Sequence, residues 1–220
     1  MSQYHQNIDT STRKPLKLKV CGMNLNTVEV ATLKPDYMGF IFWQPSKRCY
    51  NEESTIIPHK IKKVGVFVDE DIQVIIKKVK KHQLLGVQLH GKESPSFCKQ
   101  LKTELKGVEI IKVFSIKNEF DFSILAPFED VCDFFLFDTK GKLPGGNGYK
   151  FNWKTLNDYP STKPFFLSGG IGLDDADSIQ EFMQQPESQY CHAIDVNSMF
   201  EIEPGLKDIE KLKDFIKRLK

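Results

Sequence analysis

A thiol at Cys21 and a carboxyl at Asp138 each close an apolar run, and such a pair can move two protons in one reaction. Cys21 stands directly before Gly22, and Asp138 follows Phe134-Phe135-Leu136-Phe137. A cysteine acts as base or nucleophile only as thiolate, and an ordinary value of about 8.5 leaves little of that form at neutral pH. The competing reading of Cys21 is a small buried hydrophobe. Asp138 can serve as a general acid if burial keeps a proton on it; a helix cap or an ion pair with Lys140 is the alternative. An acid and a base facing each other across one opening suit an isomerisation, in which one atom gains a proton and another loses one.

Three further groups are suited to holding a small anion. Gly169, Gly170 and Gly172 surround Ile171 behind the run 164–168, where glycines let backbone N–H groups approach an oxyanion closely, with Asn197 and Ser198 opposite. Tight turns are the commoner use of such glycines. Arg48, after Pro45-Ser46-Lys47, offers a guanidinium fork for a carboxylate, or is a plain surface arginine. His90 ends Gln88-Leu89-His90 and is a further candidate for the same opening.

All these residues would meet if the runs they follow were the parallel strands of a barrel. β-branched or aromatic stretches at 16–21, 37–43, 63–68, 85–90, 109–114, 133–138, 164–168 and 193–196 alternate with helix-like stretches. The latter lie at 26–33, 53–61, 70–81, 95–105, 120–127, 152–156, 174–184 and 207–219. Asn24 or Asn26, Asp69 and Ser94-Pro95 supply start signals; Pro58 interrupts the second helix. Eight β-then-α units predict a single-domain (β/α)8 TIM barrel over 17–220, behind a flexible N-terminal extension at 1–16. An open doubly wound sheet is the structural alternative. In a barrel, the residues just past each strand share one mouth.

Composition agrees with one enzyme-sized α/β domain. The chain has 220 residues, 40% hydrophobic and 27% charged, enough for a large core beneath an ordinary polar surface. A net charge of +2, with the lysines at 77–81 and 207–220 interleaved with acidic or apolar residues, argues against nucleic acid as a partner. No apolar run approaches the roughly 18 residues of a membrane span, and the first sixteen residues are polar without a signal-peptide core. Five scattered cysteines without a CxxC pair point to neither a disulfide framework nor a metal, and fit a cytoplasmic location. No exposed apolar stripe marks a subunit contact, which leaves monomer and homodimer both open.

KVCGM at 19–23, YMGFIFWQPSKR at 37–48, VGVFVD at 64–69 and VQLHGKES at 87–94 together resemble the phosphoribosylanthranilate isomerase family. FDTKGKLPGGNG at 137–148, FFLSGGI at 165–171 and AIDVNSMFEIEPGLKD at 193–208 extend the likeness over nearly every strand end. The resemblance implies an Amadori rearrangement of N-(5′-phosphoribosyl)anthranilate in tryptophan biosynthesis, with no cofactor. It makes Cys21 the general base and Asp138 the general acid, and gives Arg48 the anthranilate carboxylate. Gly169, Gly170, Ile171, Asn197 and Ser198 would hold the phosphate, and Asp195 would lie beside the ribose and amine. Met199 stands where many relatives have glycine, so the backbone there is expected to approach a phosphate less closely.

Two other phosphosugar barrels and a non-catalytic binding barrel are the rival readings. The histidine-pathway isomerase resembles a duplicated half-barrel with a carboxylate in place of Cys21, and no repeat is visible here. Indole-glycerol-phosphate synthase would call for Lys and Glu at several inner strand ends, where this chain offers Lys112. A binding-only barrel would have little use for a thiol and a carboxyl at facing strand ends.

Overall fold

Side chains on a strand alternate between two faces, and here one face of each strand points into a closed barrel. The computed structural model describes residues 15–51, 53, 55–117, 119–139 and 152–220. Residues 1–14, most of the expected extension, lie outside that range, as does 140–151, which includes Lys140. Eight parallel strands run β1 (Lys17–Val20), β2 (Tyr37–Ile41), β3 (Lys62–Phe67), β4 (Gly86–Leu89), β5 (Glu109–Ile116), β6 (Phe134–Thr139), β7 (Phe165–Leu167) and β8 (Cys191–Val196). They are hydrogen-bonded in sequence order, and β1 closes on β8 with Lys19 opposite Asp195. The expected TIM barrel is therefore the observed fold, and the open sheet is excluded.

Inside the barrel, Tyr37, Val64, Ile111, Val113, Leu136, Phe166 and Ala193 pack into one apolar layer. Two residues further along the same faces come Asp138 after Leu136, Ser168 after Phe166, and Asp195 after Ala193. The interior thus turns from apolar to polar within one period-two step, at the carboxyl ends of the strands. The larger core lies outside the sheet, against α1 (Thr27–Thr32), α2 (Ile72–His82), α3 (Pro95–Glu104), α4 (Ala176–Met183) and α5 (Ile209–Arg218). Burying each large side chain there contributes about 1.5–3 kcal/mol. The Phe200 and Phe215 rings, 4.8 Å apart, fasten α5 to the segment after β8.

Several helix starts have the expected chemistry. Ser94 accepts from Phe97 N–H at 3.2 Å with Pro95 in the first turn, which caps α3. Asp71, rather than Asp69, caps α2 by accepting from Gln73 N–H at 2.7 Å. Asp69 instead adopts φ 49° and accepts from Lys92 N–H, tying the loop after β3 to the loop after β4. Asn26 stands at the start of α1 but does not cap it with its side chain. Its amide bridges across to Lys207, donating to the carbonyl at 2.9 Å and accepting from the N–H at 3.0 Å.

The sequence reading overstates helix in four places. The described residues of 53–61 contain no helix, and Pro58 takes part in a turn closed by Ile61 N–H. The fifth and sixth expected helices are tight 3-10 segments, Phe122–Phe128 and Trp153–Asp158; the first contains Pro127, which has no N–H to continue a helix. The last helix begins later than expected, because residues 201–207 form a small antiparallel hairpin of β9 (Glu201–Glu203) and β10 (Leu206–Lys207). Among the described residues, no helix is long and apolar enough to cross a membrane.

Candidate active site

One cavity at the carboxyl ends of the strands is lined by Cys21, His90, Asp138, Gly169, Gly170, Ile171, Asp195, Asn197 and Ser198. Of the candidates singled out in the sequence, Arg48 and Gly172 are the two that do not line it. Ile41, Trp43, Val66, Val68 and Leu136 add an apolar side suited to a flat ring.

On the β1 side, Cys21 is buried, and its backbone N–H bonds Val196 on β8. Gly39 on β2 makes room for it: a Cβ there would stand 2.7 Å from the Cys21 sulfur. Lys19, two residues earlier on the same strand face, is fully buried and donates to Asp195 Oδ1 at 2.9 Å. Burial disfavours its ammonium, but Asp195 and then Cys21 outweigh that, and Lys19 titrates above its ordinary value. Burial also pushes the Cys21 thiol up; the positive charges of Lys19 and Lys207 oppose that rise without cancelling it. Sequence reasoning passed over Lys19 because a lysine within a strand reads as a solvent-facing residue.

Across the cavity, Asp138 Oδ1 accepts from Thr139 N–H at 2.9 Å, and Oδ2 stands 3.4 Å from His90 Nε2. Gln88 Nε2 lies 3.4 Å from the other ring nitrogen of His90. The loop carrying His90 is held from beneath. Glu93 accepts from the N–H groups of Asp69 and Gly91, and Lys112 Nζ donates to Gly91 O at 2.8 Å and Glu93 Oε2 at 2.9 Å. Lys112 is therefore committed to shaping the β4 loop and does not reach into the cavity, so the feature that admitted the synthase reading has a structural role.

Behind β7, Gly169 and Gly170 have φ of 98° and 69°, a region open chiefly to glycine. A Cβ on Gly169 would lie 2.2 Å from Thr139 Oγ1. The turn leads into the 3-10 segment Leu173–Asp175 and α4, where Asp175 Oδ2 accepts from Gly172 N–H at 2.7 Å. Among the described residues, none accepts from the N–H groups of Gly170, Ile171 or Ser198, and all three residues face the cavity. Met199 lies over this turn, its Cε 3.4 Å from where a Gly172 Cβ would be, so its side chain covers one flank of the turn. Gly169→Ala is expected to strain the turn by about 1–3 kcal/mol, lowering Tm by several degrees and raising the inhibition constant of inorganic phosphate. Calorimetry and phosphate inhibition kinetics check this together.

Arg48 lies beside the cavity, with its Cδ 2.9 Å from where a Gly22 Cβ would stand. Its Nε and Nη2 donate to Glu201, at 2.9 and 2.6 Å. Glu201 also accepts from Lys207 Nζ at 2.8 Å, and Lys207 in turn donates to Asn197 Oδ1 at 2.8 Å. Burial raises the Glu201 carboxyl, but Arg48 and Lys207 reverse that and hold it below the ordinary range.

Residues 18–218 match the family model for N-(5′-phosphoribosyl)anthranilate (PRA) isomerase. The chain belongs to that family. The isomerase of Parabacteroides distasonis is 42% identical over 210 residues, covering 92% of each chain. Among solved structures, the phosphoribosylanthranilate isomerase of Thermus thermophilus superposes with TM-score 0.79 at 22% identity, over 93% of this chain and 98% of that one, a likeness of fold. A phosphoribosylanthranilate isomerase in complex with reduced 1-(o-carboxyphenylamino)-1-deoxyribulose 5-phosphate gives TM-score 0.75 at 27% identity, with the same coverage. Against this family's barrel, the sequence reading found the cavity wall but missed the charged residues behind it other than Lys112. Lys19, Glu93, Lys112, Glu201 and Lys207 are buried or partly buried ionic residues, and nothing in their local pattern separates them from a solvated lysine or glutamate.

Proposed function

We propose that this phosphoribosylanthranilate isomerase family member converts N-(5′-phosphoribosyl)anthranilate into 1-(2-carboxyphenylamino)-1-deoxy-D-ribulose 5-phosphate, a step of tryptophan biosynthesis. The observation that carries the reading is the buried thiol of Cys21 and the carboxyl of Asp138 on the wall of one cavity, beside a glycine turn whose Gly170 and Ile171 N–H groups have no acceptor among the described residues.

Asp138 gives its proton to the furanose ring oxygen while the C1′–O bond breaks, and the anthranilate nitrogen lone pair forms the iminium at C1′. The Cys21 thiolate then takes the C2′ proton, and the released electron pair forms the C1′=C2′ bond and neutralises the nitrogen. Loss of the C2′ hydroxyl proton and gain of one at C1′ completes the ketose. The iminium is the electron sink, so the protein needs to supply position and two proton transfers, each typically worth 10²–10⁴-fold. The Gly170, Ile171 and Ser198 amides and the Asn197 side chain take the phosphate, and the buried Lys19–Asp195 pair lies on the ribose and amine side. Arg48 takes the anthranilate carboxylate. Five cysteines without a disulfide fit a reducing, cytosolic compartment, and residues 17–220 are assigned to the catalytic barrel.

The test is loss of phosphoribosylanthranilate fluorescence under single-substrate conditions. Turnover is expected; a folded protein that binds the substrate without converting it would replace this reading with the binding-only one. In the same assay Arg48→Ala is expected to raise KM roughly 10- to 100-fold with a much smaller change in kcat, because a charge-assisted hydrogen bond contributes about 1.5–3 kcal/mol.

A further inference from the structure

Arg48, Glu201, Lys207 and Asn197 form one connected cluster beside the mouth, and its charge balance is uneven. The Glu201 carboxylate is shared by two cations, with Arg48 on both oxygens and Lys207 on Oε1, and Gly205 N–H adds a third donor at 3.2 Å. Lys207 is fully buried, and its partners, Asn197 O, Asn197 Oδ1 and Glu201 Oε1, are all acceptors, as a three-proton ammonium requires. Arg48 alone with Glu201 would be a neutral pair with nothing left to attract a second carboxylate. With Lys207 included, the cluster carries one net positive charge, and among the described residues none bonds Arg48 Nη1.

We infer that Lys207 is a positioning residue whose charge lets the Glu201-paired Arg48 accept a substrate carboxylate, which completes a cluster of two cations and two anions. Glu201 has the opposing effect: it holds the guanidinium beside the mouth and lowers its pull on the incoming anion. Charges this poorly hydrated act strongly on one another, since little water screens them. Through Asn197, the same ammonium also fixes one wall of the phosphate end. The inference rests on the carboxylate role proposed for Arg48.

Its test uses two stable probes on the full chain: the reduced product analogue with the ortho-carboxylate, and the otherwise identical phenylamino compound without it. The ratio of their dissociation constants measures carboxylate discrimination alone. Lys207→Gln, which keeps a donor but removes the charge, is expected to lower that ratio about tenfold, and Glu201→Gln to raise it by a similar factor. A purely structural role would weaken both probes alike, or move both variants in the same direction, and either result overturns the inference. Because the two variants are expected to diverge in sign, misfolding of one leaves the other decisive. Wild-type protein that binds both probes equally would overturn the Arg48 assignment as well; wild type that discriminates, with variants that leave the ratio unchanged, would overturn only the role of Lys207.

Discussion

Cys21→Ala is expected to lower kcat by about two to four orders of magnitude and to leave KM within a few-fold of wild type. The sulfur is lost from a buried site whose shape is set by backbone and by Gly39, so the groups proposed to hold the phosphate and carboxylate stay in place. Circular dichroism should be unchanged, because removing one small buried group leaves the strand pairing of β1 intact. The pH dependence carries the same assignment. Burial raises the Cys21 thiol against the pull of Lys19 and Lys207, so the active thiolate form becomes more abundant as pH rises. In the wild type kcat/KM is therefore expected to keep climbing through the ordinary thiol range near pH 8.5 and above. A profile already flat by pH 7, or a Cys21→Ala variant with near-normal kcat, would remove the thiol from the base role.

Asp138→Asn is expected to cost a similar factor in kcat, again with little effect on KM. The substitution keeps the shape and an oxygen to accept from Thr139 N–H, so the β6 end and the cradle it supports stay in place. What is lost is the transferable proton. In the proposed mechanism the two losses fall on different steps, ring opening and C2′ proton removal. A substrate analogue already opened to the acyclic imine should therefore be processed by Asp138→Asn far better than by Cys21→Ala. Equal impairment of both variants on that analogue would show that Asp138 does not act in ring opening.

Much of this arrangement is legible in the residues. Alternating apolar runs, each closed by a reactive or small residue, locate β1, β4, β6, β7 and β8 and the groups at their ends, because strand period and barrel geometry both direct such residues to one mouth. Helices are less legible: 53–61 has helical spacing but also Pro58, and Phe122–Phe128 keeps only the tighter 3-10 turn around Pro127. Asp69 and Asn26 look like caps, yet both spend their side chains on contacts far along the chain, with Lys92 and Lys207.

By itself, then, the amino-acid order determined the closed eight-strand architecture, the facing thiol and carboxyl, and the glycine turn behind β7, since each follows from periodicity and local backbone chemistry. Only the tertiary structure decided what surrounds them. The Lys19–Asp195 pair spans 176 positions, and Arg48–Glu201 spans 153. Long-range ion pairs of this kind arise from which strand ends and loops meet at the barrel mouth, and a buried lysine has the same sequence signature as an exposed one. Burial and pairing set the charge environment of Cys21 and the hold on Arg48, and both are properties of the closed barrel.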